Sequence, residues 1–250
     1  MKKFFAITIL SFLLYGCSSQ KAYIDRPLKD LYKEGMTHMK NTHFEEAADS
    51  FDEVERQHPY SLWAAKAQIL SAYCAFKAQK FPRAVATLDV FISLHPSSRY
   101  IGYAYYLRAL SYYTDLCTPH RDRENADLAL QAFKDVLRRF PDTDYAHDAR
   151  LKIDFLNEHL ATQDMIIGRY YLENRDYIAA FTHLGEFVKT YPKSALMPEV
   201  LYRLLECHKA LGLLSLGHKT FALLNYNFPN SKWRALGKNL MHTVSSNKIK

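Results

Sequence analysis

The sequence predicts an all-α solenoid of about five stacked helix pairs. Three observations carry that reading: a shortage of glycine, a proline-centred signature that recurs five times, and apolar residues at helical spacing between the copies. Only 8 of 250 residues are Gly, against roughly 7% in average usage; a β-rich chain with many tight turns would need more. The chain is 48% hydrophobic and 24% charged, an ordinary globular balance that excludes global disorder. It holds 18 Tyr, 15 Phe and 2 Trp, so rings pack or bind something. The net charge of +7 is spread along the chain without a Lys/Arg run. That excludes a nucleic-acid stripe and permits contact with anionic headgroups.

Residues 1–16 read as a signal segment. Met1-Lys2-Lys3 is basic, and residues 4–15 are 12 positions without a charge, too short for a bilayer span of about 20 residues but suited to the core of a secretory signal. Leu14-Tyr15-Gly16-Cys17-Ser18 resembles the lipobox of bacterial lipoproteins. The resemblance implies that the Cys17 thiol takes a diacylglycerol, that cleavage precedes it, and that the new amine is acylated. Ser18 in place of Asp resembles the pattern sorted to the outer membrane. An ordinary secretory signal with a coincidental Cys is the other reading. Residues 17–26 then form a lipidated tether, and the covalent lipid on Cys17 is the only prosthetic group expected. Cys74, Cys117 and Cys207 show no CxxC spacing and are odd in number, so neither a zinc site nor a disulfide framework is expected.

From residue 27 onward an aromatic or His, then Pro, then Ser or Thr two residues later recurs. The copies are His58-Pro59-Tyr60-Ser61, His95-Pro96-Ser97-Ser98, Phe140-Pro141-Asp142-Thr143, Tyr191-Pro192-Lys193-Ser194 and Phe228-Pro229-Asn230-Ser231. Pro stops a helix because it lacks an N–H and clashes with the preceding turn; the Ser or Thr is expected to cap the next helix. Twelve residues before the prolines stand Ala47, Ala84, Ala129, Ala180 and Gly217, and eight before stand Phe51, Leu88, Phe133, Leu184 and Phe221. A small residue lets paired helices approach, and the ring or Leu one turn later fills the seam. The pattern resembles the tetratricopeptide repeat, whose period is about 34 residues. The steps between prolines are 37, 45, 51 and 37 residues, so two repeats carry insertions. The third holds a polar loop at 114–123. The fourth reads as one long helix through Ala149, Ile153, Leu156, Leu160, Ile167 and Tyr171, which would bridge two lobes. Residues 27–141 thus form three N-terminal repeats, 142–236 two C-terminal ones, and 237–250 a polar tail.

Signatures of catalysis are missing: the sequence holds no HxxxH, HExxH, GxSxG or GxGxxG. Leu216-Gly217-His218-Lys219-Thr220 lacks the Gly-Lys pair of a phosphate-binding loop. A scaffold without catalysis, metal or nucleic acid is expected. Counted from the repeat phase, the inner face of each first helix offers Lys29, Tyr32, Met36 and Met39, then Lys66, Ile69, Tyr73 and Phe76, then Tyr103, Tyr106, Leu110 and Tyr113. A groove of rings and Met edged by Lys suits an extended peptide with aromatic side chains at alternate positions. The competing reading makes these rings inter-repeat core. Arg121 and Arg123 either pair a partner's carboxylate or are solvated.

A lipobox followed by these repeats, with Tyr103-Ala104-Tyr105-Tyr106-Leu107-Arg108-Ala109-Leu110, Arg121-Asp122-Arg123 and Leu156-Asn157-Glu158-His159-Leu160-Ala161 in that order, resembles the BamD (ComL) family, lipoproteins of the outer-membrane β-barrel assembly machinery. The resemblance implies a scaffold anchored by lipid on the periplasmic face of the outer membrane. Its N-terminal repeats would receive targeting segments of unfolded barrel proteins. Its C-terminal repeats would dock the POTRA domains of the barrel-forming subunit, with accessory lipoproteins alongside. The family's basic docking side chain falls at His183, a departure from the pattern, with Glu186, Lys189 and Arg203 nearby. The alternative is a periplasmic repeat scaffold that coordinates envelope constriction or peptidoglycan synthesis. A solenoid murein hydrolase would need an extra domain for which no residues remain. If Cys17 carries the anchor, Cys17→Ser moves the protein from the membrane to the soluble fraction on cell fractionation.

Overall fold

Two kinds of turn, each built the same way several times over, set the path of the chain. The computed structural model describes residues 25–117 and 122–246. The signal segment, Cys17 and most of the tether, Arg121, and residues 247–250 lie outside the described residues. Among the described residues every regular element is helical. The order is α1 Leu28–Lys40, α2 Phe44–Gln57, α3 Ala64–Lys77, α4 Phe81–Leu94 and α5 Ile101–Thr114. A 3-10 turn at Asp115–Cys117 follows, then α6 Asp122–Arg139, α7 Asp144–Glu173, α8 Tyr177–Thr190, α9 Met197–Ala210, α10 Leu214–Asn227 and α11 Lys232–Ser246. Each helix packs on its neighbours in sequence, the pattern of a solenoid. No described helix is long and apolar enough to cross a membrane.

The first kind of turn joins one pair to the next. Backbone N–H groups of Ser61, Ser98, Thr143, Ser194 and Ser231 donate to the carbonyls of His58, His95, Phe140, Tyr191 and Phe228 at 3.0 to 3.3 Å, and Pro presets the dihedral between them. The expected side-chain caps form at two copies: Thr143 Oγ1 and Ser231 Oγ, directly ahead of α7 and α11, accept from Ala146 and Trp233. Elsewhere the structure corrects the expectation. Ser98 and Ser194 stand two residues ahead of the cap positions Tyr100 and Leu196, and their hydroxyls accept from those residues' N–H at 3.2 and 3.1 Å. They brace the turn rather than the helix.

The second kind of turn joins the helices within a pair. His43, Lys80, Asp176 and Leu213 donate to the carbonyls of His38, Ala75, Tyr171 and His208 at 2.8 to 2.9 Å, the long bond of a Schellman ending. The residue before each donor is left-handed: Thr42 at φ 62°, Gln79 at 60°, Arg175 at 59° and Gly212 at 72°. Only the last is the residue that adopts this conformation without steric penalty. The third pair has an insertion in place of this turn. Part of it is the start of α6 rather than loop, so Arg123 is helical.

The crossings within pairs are where the sequence puts its small residues. Ala47, Ala84, Ala129 and Ala180 are fully buried, as are Phe51, Leu88, Phe133 and Leu184. In the first pair the fit is so close that a Cβ on Gly35 would lie 2.8 Å from the Phe51 ring. Two small cores serve α1 to α4 and α3 to α5, whereas one continuous core runs from Ala109 to Leu224. Cys74 and Cys207 are free and buried in these cores; burial pushes their thiols up to about 11 and 12.

Helix α7 is 30 residues long and packs against α6 and α8. The segment expected to be a polar tail from 237 is helical to Ser246. Trp233, Gly237, Leu240 and Met241 fall on one helical face; Gly237 is buried under Leu205, Phe221 and Leu224, and Leu240 and Met241 pack on the large core. Their spacing outweighs the Ser, Lys and Asn around them. The left-handed turn residues make a signed test possible. Arg175→Gly raises, and Gly212→Ala lowers, the free energy of urea unfolding by about 1 kcal/mol each.

Candidate peptide-binding groove

The rings of α5 and α7 form a ladder. Tyr103 and Tyr106 meet Tyr145 at 5.9 and 5.1 Å between centroids, the second pair stacked. Tyr113 meets Phe133 at 6.0 Å and Phe155 at 5.9 Å, both edge to face, and Phe155 stacks on His159. Such geometries add about 0.5–1.5 kcal/mol per pair beyond burial. Polar groups hold the rungs in place. The Tyr106 hydroxyl donates to Asp148 at 2.8 Å, Lys152 pairs with Asp148 at 3.3 Å, and the Lys152 ammonium sits 5.1 Å from the Tyr113 ring centre. Burial pushes the Tyr103 hydroxyl up to about 12, and burial with the Asp148 carboxylate raises Tyr106 as well. Both are protonated donors at neutral pH.

The structure therefore brings Tyr103, Tyr106 and Tyr113 together, each half-buried and packed against a core. Tyr73 and Phe76 are also half-buried and join the same small core as Tyr103. Tyr32 is 8% exposed and wedged against Phe51 and Trp63, so its ring is inter-repeat core, whereas Met36 lies at the surface. Leu151 and Phe155 were missed. They stand ten and fourteen residues after Pro141, the spacing of Tyr106 and Leu110 from Pro96, and are 61% and 54% exposed. Carrying the repeat count one pair further, from α5 to α7, finds them.

The charged candidates fare differently. Arg123 does not wait for a partner. Its guanidinium donates to both oxygens of Asp164, which also accepts the Tyr191 hydroxyl at 2.8 Å; α6, α7 and the end of α8 meet there. Arg203 donates to Glu206 at 2.9 Å, approaches Glu199 at 3.6 Å and lies over the rings of Tyr202 and Trp233. Glu199 is the buried end of a two-pronged pair with Arg169, at 3.0 and 2.7 Å. His183 stacks flat on Tyr171 at 5.0 Å and is exposed, and Glu186 and Lys189 form an exposed pair on the same helix.

The family described as YfiO, outer membrane lipoprotein, matches residues 24–224 of this chain. Over 230 residues the chain is 39% identical to the outer membrane protein assembly factor BamD of Rickettsia prowazekii, covering 91% of this chain and 92% of that one. The chain belongs to the YfiO/BamD family. The BamD of Caulobacter vibrioides is 36% identical over 237 residues, 91% of this chain and 78% of its own length. Among solved structures, the TPR2AB domain of yeast Sti1 aligns with a TM-score of 0.44 at 13% identity, covering 88% of this chain and 84% of that one. The helical architecture of the described residues agrees with the repeat reading.

The Asp164 junction and the exposed Glu186–Lys189 pair predict unequal costs. Asp164→Ala takes the acceptor from the Tyr191 hydroxyl, leaves Arg123 to Asp127 and solvent, and lowers stability by about 1.5 kcal/mol. Glu186→Ala changes it by no more than about 0.5 kcal/mol. Chemical denaturation of the two variants checks both values.

Proposed function

We propose that this chain is an outer-membrane protein assembly factor that works as a scaffold rather than an enzyme. Anchored through a lipid on Cys17 at the periplasmic face, it receives targeting segments of unfolded barrel proteins on the ring-lined face of its first helices. Its C-terminal pairs dock the POTRA domains of the barrel-forming subunit, and accessory lipoproteins attach beside them. The observation that carries this reading is the 39% identity to the Rickettsia prowazekii assembly factor across nearly the whole of both chains.

The ladder supports the substrate half of the proposal. An extended segment points alternate side chains to one side about 6.6 Å apart, close to the 5.9 and 5.1 Å steps from Tyr103 through Tyr145 to Tyr106 and to the 5.9 Å between Tyr113 and Phe155. Half-buried rings are already ordered, so a bound segment adds burial with little loss of side-chain freedom. On the docking side, α8 leaves His183, Glu186 and Lys189 exposed beside Ile178, 69% exposed.

Purification of the tagged full chain from outer membranes in mild detergent, with mass spectrometry, tests the assignment. A β-barrel protein with tandem POTRA domains is the expected companion; peptidoglycan synthases or division proteins in its place would overturn it. Phe155→Ala tests the groove. It removes the ring contacts with Tyr113 and His159 and so lowers the melting temperature by a few degrees without unfolding the protein. It also weakens binding of a peptide that alternates apolar residues and ends in an aromatic about tenfold. Unchanged affinity rejects the groove.

A further inference from the structure

The five turns between pairs share one backbone hydrogen bond, so the residues on either side of the central Ser or Thr can be compared directly. Four turns hold Ser97 and Arg99, Asp142 and Asp144, Lys193 and Ala195, and Asn230 and Lys232. The first holds Tyr60 and Leu62, which are 100% and 98% exposed. The turn geometry does not call for large apolar side chains at these positions, and nothing among the described residues covers them. Trp63, at the foot of the same turn, is 44% exposed, with its ring edge-on to Tyr32 at 4.5 Å.

This turn is also where the tether meets the solenoid. The Arg26 N–H donates to Gln57 Oε1 at 2.8 Å, and His58 Nε2 lies 2.8 Å from the Arg26 carbonyl. Asp25 stands eight positions after Cys17, a length that spans at most about 28 Å. A lipid on Cys17 therefore confines the turn to the neighbourhood of the bilayer surface.

We propose that the turn at 60–63 is a second membrane contact, with Tyr60 and Leu62 seated in the interfacial region of the bilayer that holds the Cys17 lipid. The proposal rests on the reading of Cys17 as lipidated. A ring with a polar tip suits headgroup level, and Leu reaches the acyl boundary. Two side chains bind a bilayer weakly alone, but a short tether raises their effective concentration to the order of millimolar. The contact turns one edge of the solenoid toward the membrane and so sets the direction in which the ring-lined face opens.

The test uses the full lipidated chain in vesicles of phosphatidylethanolamine and phosphatidylglycerol doped with brominated-chain phosphatidylcholine. Trp233→Phe leaves Trp63 as the only tryptophan. Its emission is expected to shift to the blue and be quenched. Tyr60→Asp with Leu62→Asp, which copies the residues of the third turn, is expected to abolish the quenching while the protein still sediments with the vesicles. Unquenched Trp63 in sedimenting protein, or quenching that survives the double substitution, overturns the contact and leaves the anchor standing. Trp63 emission that shifts only when a co-purified protein partner is added assigns the turn to that partner and also overturns it. A full chain that does not sediment removes the anchor, and the contact with it.

Discussion

The distance between the two helices of a pair is the constraint on which this solenoid depends. Ala47, Ala84, Ala129 and Ala180 sit fully buried at the crossings, each beside Phe51, Leu88, Phe133 or Leu184 one turn further along. A larger side chain at the Ala position would push the pair apart, and outside the third pair the turn bonds at both ends leave little slack to absorb it. Because the pairs share one spacing, their first helices come to lie side by side. The tyrosines of α5 then meet the rings of α7 at 5 to 6 Å. The ring-lined face is a by-product of the core's regularity.

That origin explains why core and site are hard to separate. Tyr103, Tyr106 and Tyr113 are each half-buried and packed on the cores, so burial alone does not choose between the two readings open at the level of sequence. The charges divide more cleanly. Arg123 and Arg203 spend their hydrogen bonds inside the molecule, on Asp164 and Glu206. His183, Glu186 and Lys189 stay at the surface of α8.

The helical class, the turns and the buried small residues were legible because Pro, Ala and ring recur at fixed offsets, and local rules set each of them. Four features were not. The left-handed Thr42, Gln79 and Arg175 carry no glycine to announce them. The partnership of Arg123 with Asp164 spans 41 residues and depends on how α6 meets α7. Leu151 and Phe155 stand at the offsets of Tyr106 and Leu110, but past the long insertion of the third repeat. The last helix was hidden because its four inward residues are diluted by polar ones.

The division of the interior into two small cores and one large one has a consequence for how the molecule comes apart. In a stacked array each layer is held only by its neighbours, so the order of unravelling follows the size of the shared interior. The layers from Ala109 to Leu224 share one apolar interior, fastened by the Asp164 junction, and open together. The first two pairs rest on separate, smaller interiors and can loosen while the rest stays intact. The end of the solenoid next to the tether is thus its pliable end: it can change curvature without disturbing the layers that share the large interior.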